Sequence, residues 1–191
     1  MKVKHVDDQK EYSITLPASG GVIGVISDTH SMPHKQTEQY LRIHRPTAIL
    51  HAGDIGDVSC LSAFQALAPT FAVRGNIDAK GQDLPEQIVF NVSLAGQSTL
   101  RIWMTHIALR RSRLLNIVAE SAKRVNAQMV VCGHSHVPFI GRDKGLTVFN
   151  PGSIGPRRFS LPIIFGLIEY GPNGVRLRHI CCETGQTWHP A

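Results

Sequence analysis

Val22-Ile23-Gly24-Val25-Ile26-Ser27-Asp28-Thr29-His30 decides how this chain is read: five uncharged, mostly β-branched residues, then an aspartate and a histidine two positions apart. An apolar run without polar alternation fits a strand buried on both faces, and such strands belong to sheets covered by other layers. The same design recurs downstream. Ala48-Ile49-Leu50 leads to Gly53-Asp54, and Thr70-Phe71-Ala72-Val73 leads to Gly75-Asn76 and Asp78. Period-2 alternation would turn Asp28 and His30 to one side, and the glycine before Asp54 or Asn76 lets backbone approach closely.

Between these runs the apolar spacing changes to that of helices. Val58, Leu61, Phe64 and Ala68 recur at three to four residues before Pro69, and Leu114, Val118, Ala122 and Val125 do the same. A weaker helix runs from near Pro33 to Pro46, which stops it. The second half is richer in strands, expected over 88–94, 98–104, 128–132, 137–140, 146–149, 162–169 and 174–180. Buried parallel strands early and clustered strands late give an α/β fold, a two-sheet α-β-β-α sandwich. Residues 1–20 read as an N-terminal arm in which Tyr12, Ile14 and Leu16 alternate as a short edge strand. Residues 21–191 read as one domain.

Of 191 residues, 42% are hydrophobic and 18% charged, an ordinary globular composition for one domain. No run approaches the roughly 18 apolar residues of a membrane span, and Met1 to Asp8 lack the apolar core of a signal peptide. The expected compartment is the cytoplasm, with no membrane partner. Cys60, Cys132, Cys181 and Cys182 contain no Cys-x-x-Cys pair and read as packing residues. The net charge is +6, but its arginines stand in short groups (Arg42 and Arg45; Arg110, Arg111 and Arg113; Arg157 and Arg158) without interleaved aromatics. Solubility accounts for most of these groups, with attraction of small phosphate anions as the functional alternative, and nucleic acid is permitted without being favoured. No Walker-type phosphate loop and no Gly-x-Ser-x-Gly elbow is present, so NTPase and serine-hydrolase readings drop out.

His106 follows the expected strand 98–104, and His134 and His136 follow Val130-Val131-Cys132-Gly133. Ligands of open α/β sheets bind at the carboxyl ends of strands. Five separate strand ends therefore deliver Asp, His or Asn to one edge, which ordinary turn chemistry does not account for.

The order Asp28-x-His30, Gly53-Asp54, Gly75-Asn76-x-Asp78, His106, Gly133-His134-Ser135-His136 resembles the calcineurin-like metallophosphoesterases. It is most similar to their small single-domain phosphodiesterase branch, which also contains the retromer scaffold subunit. Asn150-Pro151-Gly152-Ser153-Ile154-Gly155 is similar to that branch's late signature. The resemblance covers about residues 22–170. It implies Asp28, His30 and His136 on one metal ion, Asn76, His106 and His134 on a second, and Asp54 between them. Two divalent transition-metal ions follow, Mn²⁺ first with Fe, Zn²⁺, Co²⁺ or Ni²⁺ also suited to imidazole and oxygen ligands. The implied reaction is in-line hydrolysis of a phosphate ester by a hydroxide bridging the two ions.

Asn76, Asp78 and His134 are the candidate catalytic residues; His34 and Arg110 are candidate substrate contacts. Two positions depart from the family pattern. Relatives that cleave monoesters carry a histidine after the asparagine, where this chain has Ile77, so a diester is the favoured small-molecule substrate. Asp78 either replaces that acid or orients a metal-ligating histidine. Relatives carry glycine after the first late histidine, where this chain has Ile107. Arg110, Arg111 and Arg113 either reach a substrate phosphate or begin a solvated helix. His51 reads as a supporting or structural histidine. A protein-binding scaffold on the same fold and a nuclease are the alternative functions.

Overall fold

The computed structural model describes residues 9–80, 82–158 and 160–190, so the first eight residues of the arm lie outside the described residues. The chain order is β1 (Gln9–Leu16), β2 (Gly21–Ile26), α1 (Thr37–His44), β3 (Ala48–His51), α2 (Leu61–Gln65) and β4 (Thr70–Ala72). It continues through β5 (Gln87–Leu94), β6 (Gln97–Thr105), β7 (Leu109–Arg110), β8 (Arg113–Leu114), α3 (Asn116–Arg124) and β9 (Met129–Val131). It ends with β10 (Phe139–Asp143), β11 (Leu146–Asn150), β12 (Ile164–Gly171), β13 (Gly174–Cys181) and β14 (Thr187–Trp188).

Two six-stranded sheets stack face to face, ordered β1-β5-β6-β9-β11-β10 and β14-β13-β12-β2-β3-β4. Ile23, Val25, Leu50, Phe90, Ile102, Met104, Val131 and Phe149 fill the layer between them. On the outer face of the second sheet, Leu41 of α1 and Phe64 of α2 pack against Ile26, Ile49 and Phe165. On the outer face of the first, Val118, Ala119 and Ala122 of α3 pack against Val89, Trp103 and Val130. This is the α-β-β-α sandwich expected from the sequence. Both faces of β2 and β3 are thereby covered, which is why their sequences are continuously apolar rather than alternating.

The sheet around Val22–Ile26 is mixed rather than wholly parallel. β2, β3 and β4 run parallel, joined by crossovers through α1 and α2. β12 lies antiparallel to β2, and β13 returns from it after only Pro172 and Asn173, a loop too short for a parallel crossover. β1 pairs in parallel with β5 along its whole length, so the described part of the arm forms the edge of the first sheet. Helix bounds moved inward where tertiary ties win. Residues 33–36 stay outside α1, with the His34 N–H given to Ile154 O at 2.7 Å. Leu114 pairs in the small β7–β8 hairpin, so α3 begins at Asn116. Val137 and Pro138 precede β10, since proline cannot donate to a ladder.

Candidate metal centre

β2, β3, β4, β6 and β9 all end toward one edge, and the loops after them carry the seven residues marked in the sequence. Five of these, Asp28, His30, Asp54, His134 and His136, have left-handed backbone with φ between 48° and 69°. Non-glycine residues adopt that region at a cost of about 1 kcal/mol or more each, and such costs gather where a site demands them. The closeness of Asp28 and His30 therefore comes from a left-handed turn after β2, not from strand pleating as the sequence suggested. The turns are locked by backbone bonds: Asp28 N–H to Gly53 O at 2.9 Å, His30 N–H to Asp54 O at 3.0 Å and Gly133 N–H to His106 O at 3.0 Å.

Two clusters result, Asp28 with His30 and His136, and Asp54 with His106 and His134, the donor atoms of each lying within 4.8 Å of one another. Asp54 faces both. Its Oδ2 lies 3.7 Å from His30 Nε2, and its Oδ1 lies 3.2 Å from His106 Nε2. Asn76 joins the second cluster, with Oδ1 2.8 Å from His134 Nδ1 and 3.1 Å from His106 Nε2. Asp28, Asp54, His106 and His136 are buried, whereas Asn76 and His134 are exposed. The centre thus opens to solvent on the side of the second cluster.

The donor set fits cations. His106 gives its Nδ1–H to Ala52 O at 2.7 Å, which turns Nε2 toward two oxygen acceptors, Asp54 Oδ1 and Asn76 Oδ1. His30 and His136 point Nε2 at one another across 3.3 Å. Nε2 of His106 thus meets acceptors, and Nε2 of His30 meets Nε2 of His136, unless a proton or a cation stands between them, which suits a metal pocket. The titration pattern agrees. Burial holds His30, His134 and, at about 4, His136 below the usual histidine range, with Arg158 adding to the effect at all three. These rings are therefore neutral and carry free lone pairs. Burial works against charge on Asp54, but the His106 hydrogen bond and charge hold it down to about 2. Burial also opposes charge on His106, which its bond to Asp54 and the field of Asp28 overcome, raising its affinity for a proton.

Asp28 behaves in the opposite sense to Asp54. Burial pushes its carboxyl from 3.8 to about 6. Without metal the folded chain holds a proton that the unfolded chain releases, so this group's contribution to stability is lost as pH rises from about 4 through 6. A rise of that size corresponds to about 3 kcal/mol at most. In chelator, Asp28→Asn should therefore gain stability relative to wild type between pH ~4 and ~7, read from urea melts. A difference that stays flat across that range would contradict the assignment.

Supporting residues hold the loops. His51 is fully buried, accepts the Gly53 N–H at Nδ1 (3.2 Å) and gives Nε2–H to Thr29 Oγ1 (2.7 Å); burial keeps it neutral, at about 3. Asp78 accepts from Gly75 N–H at 2.7 Å and Gly56 N–H at 2.8 Å, tying together the loops that carry Asn76 and Asp54. Asn150 donates Nδ2–H to Gly133 O at 2.8 Å and Ser135 Oγ at 3.2 Å, bracing the His134 and His136 turn. His179 in turn holds Asn150 O at 2.8 Å. His179 escaped the sequence reading because its partner lies on another strand, 29 residues away. His34 and Arg110 make no hydrogen bond or ion pair with the seven among the described residues. His34 accepts at Nδ1 from Gln36 N–H at 3.4 Å, and Arg110 is exposed on β7. Arg158, which in the sequence reads as part of a solubilising pair, instead brings Nη2 to 3.4 Å from His30 Nε2.

Comparison with known proteins places this geometry. The model of the calcineurin-like phosphoesterase superfamily domain matches residues 22–172. A probable metallophosphoesterase of Methanothermobacter thermautotrophicus is 28% identical over 151 residues, covering 76% of this chain and 84% of its own. Among solved structures, Vacuolar Protein Sorting 29 from Cryptosporidium parvum superposes with TM-score 0.69 at 17% identity, over 88% of this chain and 95% of that one. A novel archaeal phosphodiesterase superposes with TM-score 0.61 at 19% identity, over 84% and 99%. The family match spans every candidate ligand, and the chain belongs to the calcineurin-like phosphoesterase superfamily as a metal-dependent phosphoesterase.

Proposed function

We propose that the chain hydrolyses phosphodiesters with two divalent transition-metal ions, one held by Asp28, His30 and His136 and the other by Asn76, His106 and His134. The observation that carries this reading is Asp54, whose two oxygens turn to different clusters. When bound, such ions supply positive charge for the developing transition state and a water acidified enough to attack phosphorus. The oxygen and imidazole donors suit Mn²⁺, Fe, Zn²⁺, Co²⁺ or Ni²⁺, and Mn²⁺ is the ion we would supply first.

The chain's own residues set the rest. Asn76 and His134, on the open side, meet the ester first, and Asn76 keeps the site's charge positive by standing where a third carboxylate would lower it. Asp78 acts as a positioning residue through Gly56 and Gly75. Ile77 is 45% exposed beside Asn76 and has no proton to give a departing alkoxide. Substrates with a stabilised leaving group are favoured accordingly, and alkyl monoesters disfavoured. The four free cysteines support a reducing compartment such as the cytoplasm. No described helix is long and apolar enough to cross a membrane.

The test is turnover of bis-p-nitrophenyl phosphate against p-nitrophenyl phosphate, with Mn²⁺ and with chelator. Faster, chelator-sensitive cleavage of the diester is expected. A monoester preference would mean that another group supplies the acid. Inertness toward both would favour a protein-binding scaffold on this fold.

A further inference from the structure

Arg157 and Arg158 are adjacent, yet the structure uses them differently. Arg157 is committed: Nη1 donates to Leu161 O at 2.8 Å and Nη2 pairs with Glu183 at 2.5 Å, closing its own loop. Arg158 has no carboxylate partner among the described residues. It is exposed, and its Nη2 faces His30 Nε2 at 3.4 Å.

The root of this loop is fixed. Ile154 N–H bonds Ser27 O at 3.2 Å, and Ser153 Oγ donates to Asp28 O at 3.0 Å. Gly155 packs so closely that a Cβ there would fall 2.3 Å from Asp28 O. Pro156 fixes φ where the loop leaves this root, and a narrow cleft is lined by His136, Ser153, Gly155 and Arg158. Arg158 thus reaches the rim of the centre from a loop whose root is fixed by backbone contacts, and it does so without a salt bridge among the described residues.

A guanidinium only donates, and His30 Nε2 cannot both accept from it and serve a metal ion. Once His30 is committed to a cation, the Arg158 donors need another acceptor at the rim of the centre beside His30. The planar fork of an arginine matches two oxygens of a phosphate group. We propose that Arg158 grips the phosphate group of the substrate, fixing its orientation and setting specificity for phosphate esters. This rests on the phosphoesterase reading above for its substrate, but not for its anion.

The experiment uses metal-reconstituted full-length chain, with kcat and KM for bis-p-nitrophenyl phosphate and calorimetric binding of inorganic phosphate. Arg158→Ala should raise KM and weaken phosphate binding on the order of tenfold or more, as expected for a charge-assisted pair. Metal content and melting temperature should not change. Arg158→Lys should recover part of the loss, since an ammonium restores charge but not the fork. Phosphate affinity and KM that stay within about twofold of wild type in Arg158→Ala would overturn the proposal, as would a wild type that binds no phosphate. If wild type turns over no ester, the hydrolase reading fails and phosphate calorimetry alone decides. Binding lost with Arg158→Ala then sustains the anion site, and binding retained overturns it.

Discussion

Replacing Asp54 with alanine should reduce diester hydrolysis by about a thousandfold, more than any single histidine replacement. Metal charge contributes several kcal/mol to such reactions, and each ~1.4 kcal/mol is a factor of ten. Among the described residues, Asp54 is the one side chain that turns an oxygen to each cluster, 3.7 Å from His30 and 3.2 Å from His106. A histidine change removes one donor from one cluster, whereas the Asp54 change withdraws a carboxylate from both. Its loss also frees the Ile77 N–H, now bonded to Asp54 Oδ1 at 3.1 Å, and with it the turn that carries Asn76. Steady-state kinetics on reconstituted protein measure this. Activity in Asp54→Ala equal to that of His134→Ala would mean that Asp54 serves a single cluster.

Gly75→Ala should be nearly as damaging, for a steric reason. A Cβ at Gly75 would lie 2.0 Å from Asp54 N and 2.1 Å from Asp54 Oδ1, so backbone must move, not a flexible side-chain end. The moving segments are the two that present Asp54 and Asn76. A displacement near 1 Å at such a site costs about a hundredfold in rate, and overpacking adds about 1–3 kcal/mol of instability. Gly96→Ala is the control: its φ is +79°, so it also strains the backbone, but a Cβ there meets nothing within 4 Å. It should lose some stability and keep its activity. Equal activity loss in the two variants would point to general destabilisation rather than to the Asp54–Asn76 junction.

The sandwich was legible because burial on both faces leaves a mark in sequence. β2 and β3 read as unbroken apolar runs, and candidate ligands come directly after them. The seven candidate ligands stood out for a related reason, since each stands just beyond a strand end, often behind glycine. What local spacing could not convey was partnership across the fold. Asp78 reads as an acid near the centre, yet both of its oxygens are given to the Gly56 and Gly75 amides. His34 reads as a substrate contact, yet its backbone is tied to Ile154. Arg158 reads as half of a solubilising pair, because nothing nearby in sequence announces that Arg157 alone is claimed by Glu183. The parallel pairing of β1 with β5 was equally hidden, as alternation identifies an edge strand without naming its neighbour.

The proposed two-metal centre is tested most directly by counting metal. Chelated wild type and Asp54→Ala would be reconstituted with Mn²⁺, desalted and analysed by inductively coupled plasma mass spectrometry against protein concentration. Wild type should retain about two ions per chain, and Asp54→Ala should lose at least one of them. Wild type that retains none, or a variant that holds as much as wild type, would contradict the centre as assigned.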